Sequence, residues 1–221
     1  MHNVKISELF DLDKTIAKDL FDGKEYPWEV LADIKNFIIE LGKSLPKDKF
    51  EEVEENVWIA KSAKIFKSAY IAGPCIIDEN AEVRHSAFIR GSAIVGKNTV
   101  VGNSTELKNA VLFDNVQVPH FNYVGDSILG YKAHMGAGSI TSNVKSDNSL
   151  VVIKDSDESL ETGIKKVGAM LGDNVEVGCN AVLCPGTVIG RESMIYPTSI
   201  VRGVVKEKSI YKDKNNIVDK K

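Results

Sequence analysis

The sequence predicts a mainly β protein, a parallel β-helix of about seven coils with an α-helical segment at its N-terminal end. Three observations predict it. From Ile59 every sixth residue is apolar, through Ile65, Ile71, Ile77, Val83, Ile89, Val95, Val101, Leu107 and Phe113. The residue four places after each is usually small: Ala63, Ala69, Cys75, Ala81, Ala87, Ala93, Thr99 and Thr105. Only 7% of residues are aromatic while 43% are hydrophobic, the composition of a narrow core lined by branched aliphatic side chains.

A period of six matches neither a 3.6-residue helix nor a two-sided strand. It matches a triangular coil in which each side turns one aliphatic residue into the lumen, so that three sides make an 18-residue coil. Successive coils stack at the ~4.8 Å strand spacing, each burying the aliphatic ladder of its neighbour. A second block keeps the phase through Leu171, Val177, Leu183, Ile189, Ile195 and Val201, and Val118, Val124, Leu129 and Met135 bridge the two with two five-residue slips. The glycines of "VGKN", "VGNS", "LGDN" and "IGRE" are expected to ease the corners. Residues 59–206, less one insertion, form the coils.

The remaining segments break the pattern. Within residues 1–58, Pro27 opens a helix with Trp28, Leu31, Ile34, Phe37, Ile38 and Leu41 on one face, ending near Gly42. A shorter helix around Asp13–Phe21 precedes it, and the pair is expected to cap the first coil. Residues 144–166 lack the six-fold phase and read as a loop or hairpin projecting from the coil. Residues 207–221 read as a polar, loosely held tail.

Charge and composition narrow the function. The net charge of −3 gives no electrostatic reason for a nucleic-acid or membrane-surface partner. No apolar run reaches the ~18 residues of a membrane span, and the first residues carry no apolar signal core. Three cysteines without a CxxC pair suggest a reduced, cytoplasmic protein. "FDLDKT" at Phe10–Thr15 matches a phosphatase nucleophile motif, but only "ISEL" precedes it, whereas that chemistry needs a buried strand there. An N-capping Asp11 explains the residues better.

Candidate chemistry gathers where the repeat slips. Of four histidines, His2 is near the terminus and His85 sits in an exposed "RH", while His120 and His134 fall in "VPHFNYVGDSILGYKAHMGAGSITSN". Irregular stretches of a repeat array are where functional departures concentrate. Arg90 lies one 18-residue coil before Lys108, and cations one rung apart suit a phosphate or carboxylate.

The six-residue pattern resembles the hexapeptide repeat, [LIV]-G-x-x-[STAV]-x, of left-handed parallel β-helix proteins, and the left hand is what that resemblance implies. "VGNSTELKNA", "PHFNYVGDS" and "MGAGSITSN" further resemble the acetyltransferase domain of bifunctional N-acetylglucosamine-1-phosphate uridyltransferases. They are similar above all to the archaeal sugar-phosphate nucleotidylyltransferases carrying the same β-helix. The resemblance covers about residues 71–206. It implies that His120 is the general base, that Arg90 and Lys108 hold the sugar phosphate, and that Tyr123 and Asn143 position the sugar. Gly136, Ala137 and Gly138 would face acetyl-CoA, with Cys179 as a further coenzyme contact. It also implies a homotrimer acting on a hexosamine 1-phosphate. The sequence departs from the family with Val144-Lys145-Ser146 for Tyr-Asp-Gly, Ser149 for a Lys, His134 for an Asn, and Tyr196-Pro197 for small residues. The family's nucleotidyltransferase half has no counterpart here.

Two other readings compete. One is a non-catalytic β-helix that binds a ligand or a separate nucleotidyltransferase. The other, a zinc carbonic anhydrase, requires three His ligands; position 125 is Gly and His134 is misplaced, so no metal site is expected.

Overall fold

The computed structural model describes residues 4–155 and 158–220, so His2 lies outside the described residues. The backbone winds as a triangular coil, each side pairing in parallel with its counterpart one coil further on. The first face comprises Val57–Ala60, Cys75–Ile77, Ala93–Val95, the second halves of Glu106–Leu112 and Tyr123–Leu129, Ala169–Leu171, Thr187–Ile189 and Val204–Val205. The second face comprises Lys64–Ile65, Glu82–Val83, Val100–Asn103, Gln117–His120, His134–Met135, Glu176–Val177, Met194–Ile195 and Ser209–Asp213. Tyr70–Ile71, Phe88–Ile89, the first halves of the same two long strands, Ile140–Thr141, Val182–Leu183 and Ile200–Val201 make the third. The described residues thus build a solenoid of about eight turns, one more than the repeat count suggests.

The lumen holds the expected ladder. Val83, Val101, Val118, Met135 and Val177 follow one another on the second face, essentially without exposure. One of the two five-residue sides falls elsewhere than expected, and the other, Val124 to Leu129, falls where the spacing put it. Val95 pairs with Leu112 and Leu112 with Leu129, so the short sides run from Leu107 to Leu112 and from Val124 to Leu129. Phe113, expected in the ladder, instead packs against Phe10 and Phe21, with ring centroids 5.1 and 5.8 Å away.

The corners are also built differently. The left-handed backbone conformation belongs to Asn98, Ser104, Asn174 and Glu192, two residues after the glycines singled out in the sequence. Asn is among the residues that accept this conformation most readily. The glycines serve close approach: a Cβ on Gly96 would lie 2.6 Å from the Phe113 backbone, and one on Gly190 would strike Glu207.

The first face is buried on both sides. Its outward residues Ile76, Ile94, Val111, Ile128, Met170 and Val188 have no exposure, and the triplets "CII", "AIV" and "AML" are the sequence signature of a strand covered twice. The N-terminal segment covers the first half of this face. A 3₁₀ turn at Pro27–Val30 leads to the helix Ile34–Ser44, whose Ile34 and Ile38 pack on strands of the early coils. Gly42 lies inside that helix because a Cβ there would strike the Trp58 ring. Further upstream, the short helix expected around Asp13–Phe21 is instead two 3₁₀ turns, Leu12–Lys14 and Lys18–Phe21, preceded by a helix at Ile6–Leu9. Asp11 caps the first of these turns, its carboxylate accepting the Asp13 N–H. The segment therefore runs along the coil's flank instead of closing its end: Leu31 O accepts from Asn109 Nδ2, Lys14 O from Asp114 N and Leu9 O from Asp173 N.

The insertion covers the second half. Where rungs otherwise advance by 16–18 residues, Ile128 pairs with Met170. The intervening segment folds Val152–Asp155 against Glu158–Glu161. It does not project: Val151 and Ile153 are fully buried, and a Cβ on Gly186 would lie 2.7 Å from Val151. The C-terminal tail is likewise structured. Ser209–Asp213 adds a rung to the second face and Asn216–Asp219 returns antiparallel to it, while buried Tyr211 donates its hydroxyl to Ile200 O at 2.9 Å. Among the described residues no helix is long and apolar enough to cross a membrane.

One buried group acts against the fold. Asp78 is 1% exposed; its Oδ1 accepts the Glu79 N–H, and its Oδ2 has no hydrogen-bond partner among the described residues. Burial pushes its pKa from 3.8 up to about 6. The folded chain then binds more protons than the unfolded chain between these values, so this carboxyl costs stability as pH rises from 4 to 6. Asp78→Asn is expected to gain about 1–3 kcal/mol at pH 7 and to flatten the pH profile of urea unfolding across that window.

Candidate functional site

Two corners of the coil carry the candidate residues. The corner between the second and third faces stacks His85, Asn103, His120, Ala137, Cys179 and Pro197 in one column. His120 is paired with Asn103, and backbone bonds run from Gly138 N to His120 O, Asn180 N to Ala137 O and Thr198 N to Cys179 O. His120 is exposed. Its N–H donates to Asn122 Oδ1 at 3.1 Å, and the buried Asn122 amide donates in turn to Gly136 O and to Ser139 O and Oγ. The His120 loop is thereby fastened to the Gly136–Gly138 turn one rung on. Phe121 beside it is 62% exposed with φ +52, a costly conformation for an aromatic residue.

Within that turn, Gly136 N–H donates to Val177 O and Gly138 N–H to His120 O. Among the described residues the Ala137 N–H is left with no acceptor. A groove of about 330 Å³ begins at Gly136 and runs along the coil over Val177, Cys179 and Met194 to Tyr196 and Pro197, with His134 and Glu176 on its side. His134 Nδ1 and Glu176 Oε2 are 2.7 Å apart. Gly136 and Cys179 thus line the groove and Ala137 and Gly138 adjoin it. His85 and His120 are two rungs apart with Asn103 between them, about 10 Å at the strand spacing. Among the described residues no three His, Cys, Asp or Glu are grouped to hold a metal.

The third face brings Arg90, Lys108, Tyr123 and Asn143 together near its corner with the first. Ile89 pairs with Leu107 and Lys108 with Gly125, which sets Arg90 and Lys108 on adjacent rungs. Each already has a carboxylate. Arg90 donates to Glu106 at 2.8 Å, and Lys108 donates to both oxygens of Asp126 at 2.9 and 3.2 Å. Asp126, whose side chain is 5% exposed, also accepts from Asn109 at 2.9 Å and from Asn143. Arg90, half exposed, retains unused guanidinium donors, and Lys108 Nζ retains one. The Tyr123 ring lies over Gly125, where a Cβ would stand 2.5 Å from its hydroxyl. Burial raises the pKa of that hydroxyl, with Asp126 and Glu106 adding to the effect, which keeps it a protonated donor.

His120 and Tyr123 are three residues apart on the same edge, no more than about 10 Å. Asn122, Glu106 and Asp126 were not singled out in the sequence. A signal for Asp126 exists: Asn109, Asp126 and Asn143 are spaced by 17, the interval that a five-residue side imposes on one corner column.

Residues 71–157 match the family model described as the GMPPB C-terminal domain. The chain is 33% identical over 117 residues to the bifunctional protein GlmU of Methanococcus maripaludis strain C5, covering 52% of this chain and 28% of that protein. It is 33% identical over 96 residues to the bifunctional sugar-1-phosphate nucleotidylyltransferase/acetyltransferase of Sulfurisphaera tokodaii, covering 43% and 24%. The match thus spans about a quarter of the length of these curated relatives. Among solved structures, the acetyltransferase domain of PglB from Neisseria gonorrhoeae aligns with TM-score 0.35 and 14% identity, over 74% of this chain and 57% of that one.

Proposed function

We propose that this chain is an N-acetyltransferase that moves an acetyl group from acetyl-CoA to the amine of a hexosamine 1-phosphate. The observation that carries this reading is the placement of His120. It stands exposed on a corner, one rung from the Gly136–Gly138 turn and about one face-width from the Arg90, Lys108, Tyr123 and Asn143 cluster. The sugar relatives named above support the reaction class.

The chemistry follows from these positions. Free donors on Arg90 and Lys108 take the phosphate, and Tyr123 and Asn143 orient the sugar so that its amine lies beside His120. His120 removes a proton from the amine as its nitrogen attacks the thioester carbonyl. The Ala137 N–H stabilises the charge developing on the carbonyl oxygen. The C–N bond forms, the C–S bond breaks, and the proton passes to the departing thiolate. The groove from Gly136 to Pro197 suits the coenzyme's uncharged arm, since Val177, Met194 and Tyr196 give it an apolar lining. A homotrimer fits the same reading. The first face is covered by the chain itself, whereas the third presents Tyr70, Phe88 and Ile200 outward, 63%, 40% and 62% exposed.

Incubating the protein with acetyl-CoA and a panel of hexosamine 1-phosphates, and following free thiol, tests the proposal. Turnover with at least one amino sugar is expected; silence across the panel from a folded protein overturns it. The second reading, a binding module that recruits a separate nucleotidyltransferase, is favoured by one observation: Arg90 and Lys108 are both already paired with carboxylates.

A further inference from the structure

A second cavity, of about 550 Å³, opens at the corner between the third and first faces in the last coils. Segments distant in sequence supply its cations. Lys145 comes from the start of the insertion, Lys154 from its hairpin, Arg202 from the turn after Val201, and Lys214 from the C-terminal hairpin. Pro185 and Val204 contribute to an apolar floor, and among the described residues no carboxylate lines the cavity. Lys145 contacts Ser149 and lies 3.9 Å from Asp147. Lys154, Arg202 and Lys214 have no ion pair among the described residues. In a chain of net charge −3, three cations without an ion pair among the described residues, and a fourth beside Asp147, thus face one concavity from separate elements, a concentration of positive charge that attracts an anion.

We propose that this cavity binds a nucleotide, its phosphates held by Arg202, Lys154, Lys145 and Lys214 and its nucleoside resting on the apolar floor. Several cations set around a concavity suit a polyanion with multiple phosphate oxygens, and the volume is that of a small-ligand site. The site is separate from His120, which occupies a different corner. It lies on the corner of Arg90 and Lys108 but further along: Ser142, Cys184 and Arg202 follow in register, so Arg202 is about 10 Å beyond Ser142. The proposal does not depend on the acetyltransferase reading.

Calorimetric titration of the full chain with ADP, 3′,5′-ADP and pyrophosphate provides the test. Saturable binding of one nucleotide per chain is expected, weakening with added salt. Arg202→Gln and Lys154→Gln should each raise Kd about tenfold, and Arg202→Glu should abolish binding, with Tm unchanged because these side chains are exposed. Tighter binding of ADP identifies a nucleoside diphosphate, and tighter binding of 3′,5′-ADP identifies a head group with separated phosphates; both support the site. Nucleotide affinity weaker than about 1 mM, or affinity unmoved in all three variants, overturns it.

Discussion

If the proposed reaction is this chain's, His120→Ala is expected to lower the rate of acetyl transfer about 10²–10⁴-fold and to leave Tm where it was. The size is that of a lost general base. The unchanged stability follows from what His120 does in the fold. Its N–H reaches Asn122 and its carbonyl accepts the Gly138 N–H, and both are main-chain contacts that alanine keeps. The imidazole is exposed, so no cavity opens when it goes. Kinetics and a thermal melt on the same preparation separate the chemical loss from any structural one. Activity within threefold of the wild type would exclude His120 as the base. If it coincided with intact sugar-phosphate binding, the binding-module reading would gain the ground that catalysis lost.

Phe113→Ala destabilises the chain by about 3–5 kcal/mol, the range for emptying a fully buried aromatic site. Phe113 has no exposure and its ring packs against both Phe10 and Phe21, which also touch each other. Leu112 takes the lumen position next to it, so the coil keeps its ladder while the N-terminal segment loses its anchor. Urea unfolding should shift to lower denaturant, and amide exchange should rise first over residues 6–44. Uniform loosening of the solenoid, with the N-terminal segment still protected, would place Phe113 in the ladder after all.

The two halves of the architecture differed in how readily the sequence disclosed them. A lumen position admits one aliphatic residue per side, so the ladder from Ile59 to Leu107 is written directly into the spacing. The flanking helix is another matter. Trp28, Leu31, Ile34 and Ile38 announce an apolar stripe, but a stripe states only that something covers it. What covers it is the first face, whose own triplets "CII" and "AIV" are the complementary half of the message. The slip was misplaced because Leu112 and Phe113 are both apolar and both buried; only pairing to Val95 distinguishes them. In the candidate site, Arg90 and Lys108 were visible by coil arithmetic, and Tyr123 and Asn143 through the resemblance of the surrounding motifs. Asp126, which gathers Lys108, Asn109 and Asn143, was obscured because a five-residue side changes the interval to 17.

The bonds from Leu9 and Asp11 to Asp173 span more than 160 residues of chain. During translation Leu9 and Asp11 therefore leave the ribosome well before the rung that fastens them. At about 5–20 residues per second, Leu9 and Asp11 wait on the order of ten to thirty seconds for the rung that holds Asp173, whereas Phe10 and Phe21 meet Phe113 sooner. For that interval the Ile6–Leu9 helix lacks its last fastening while the coils grow behind it.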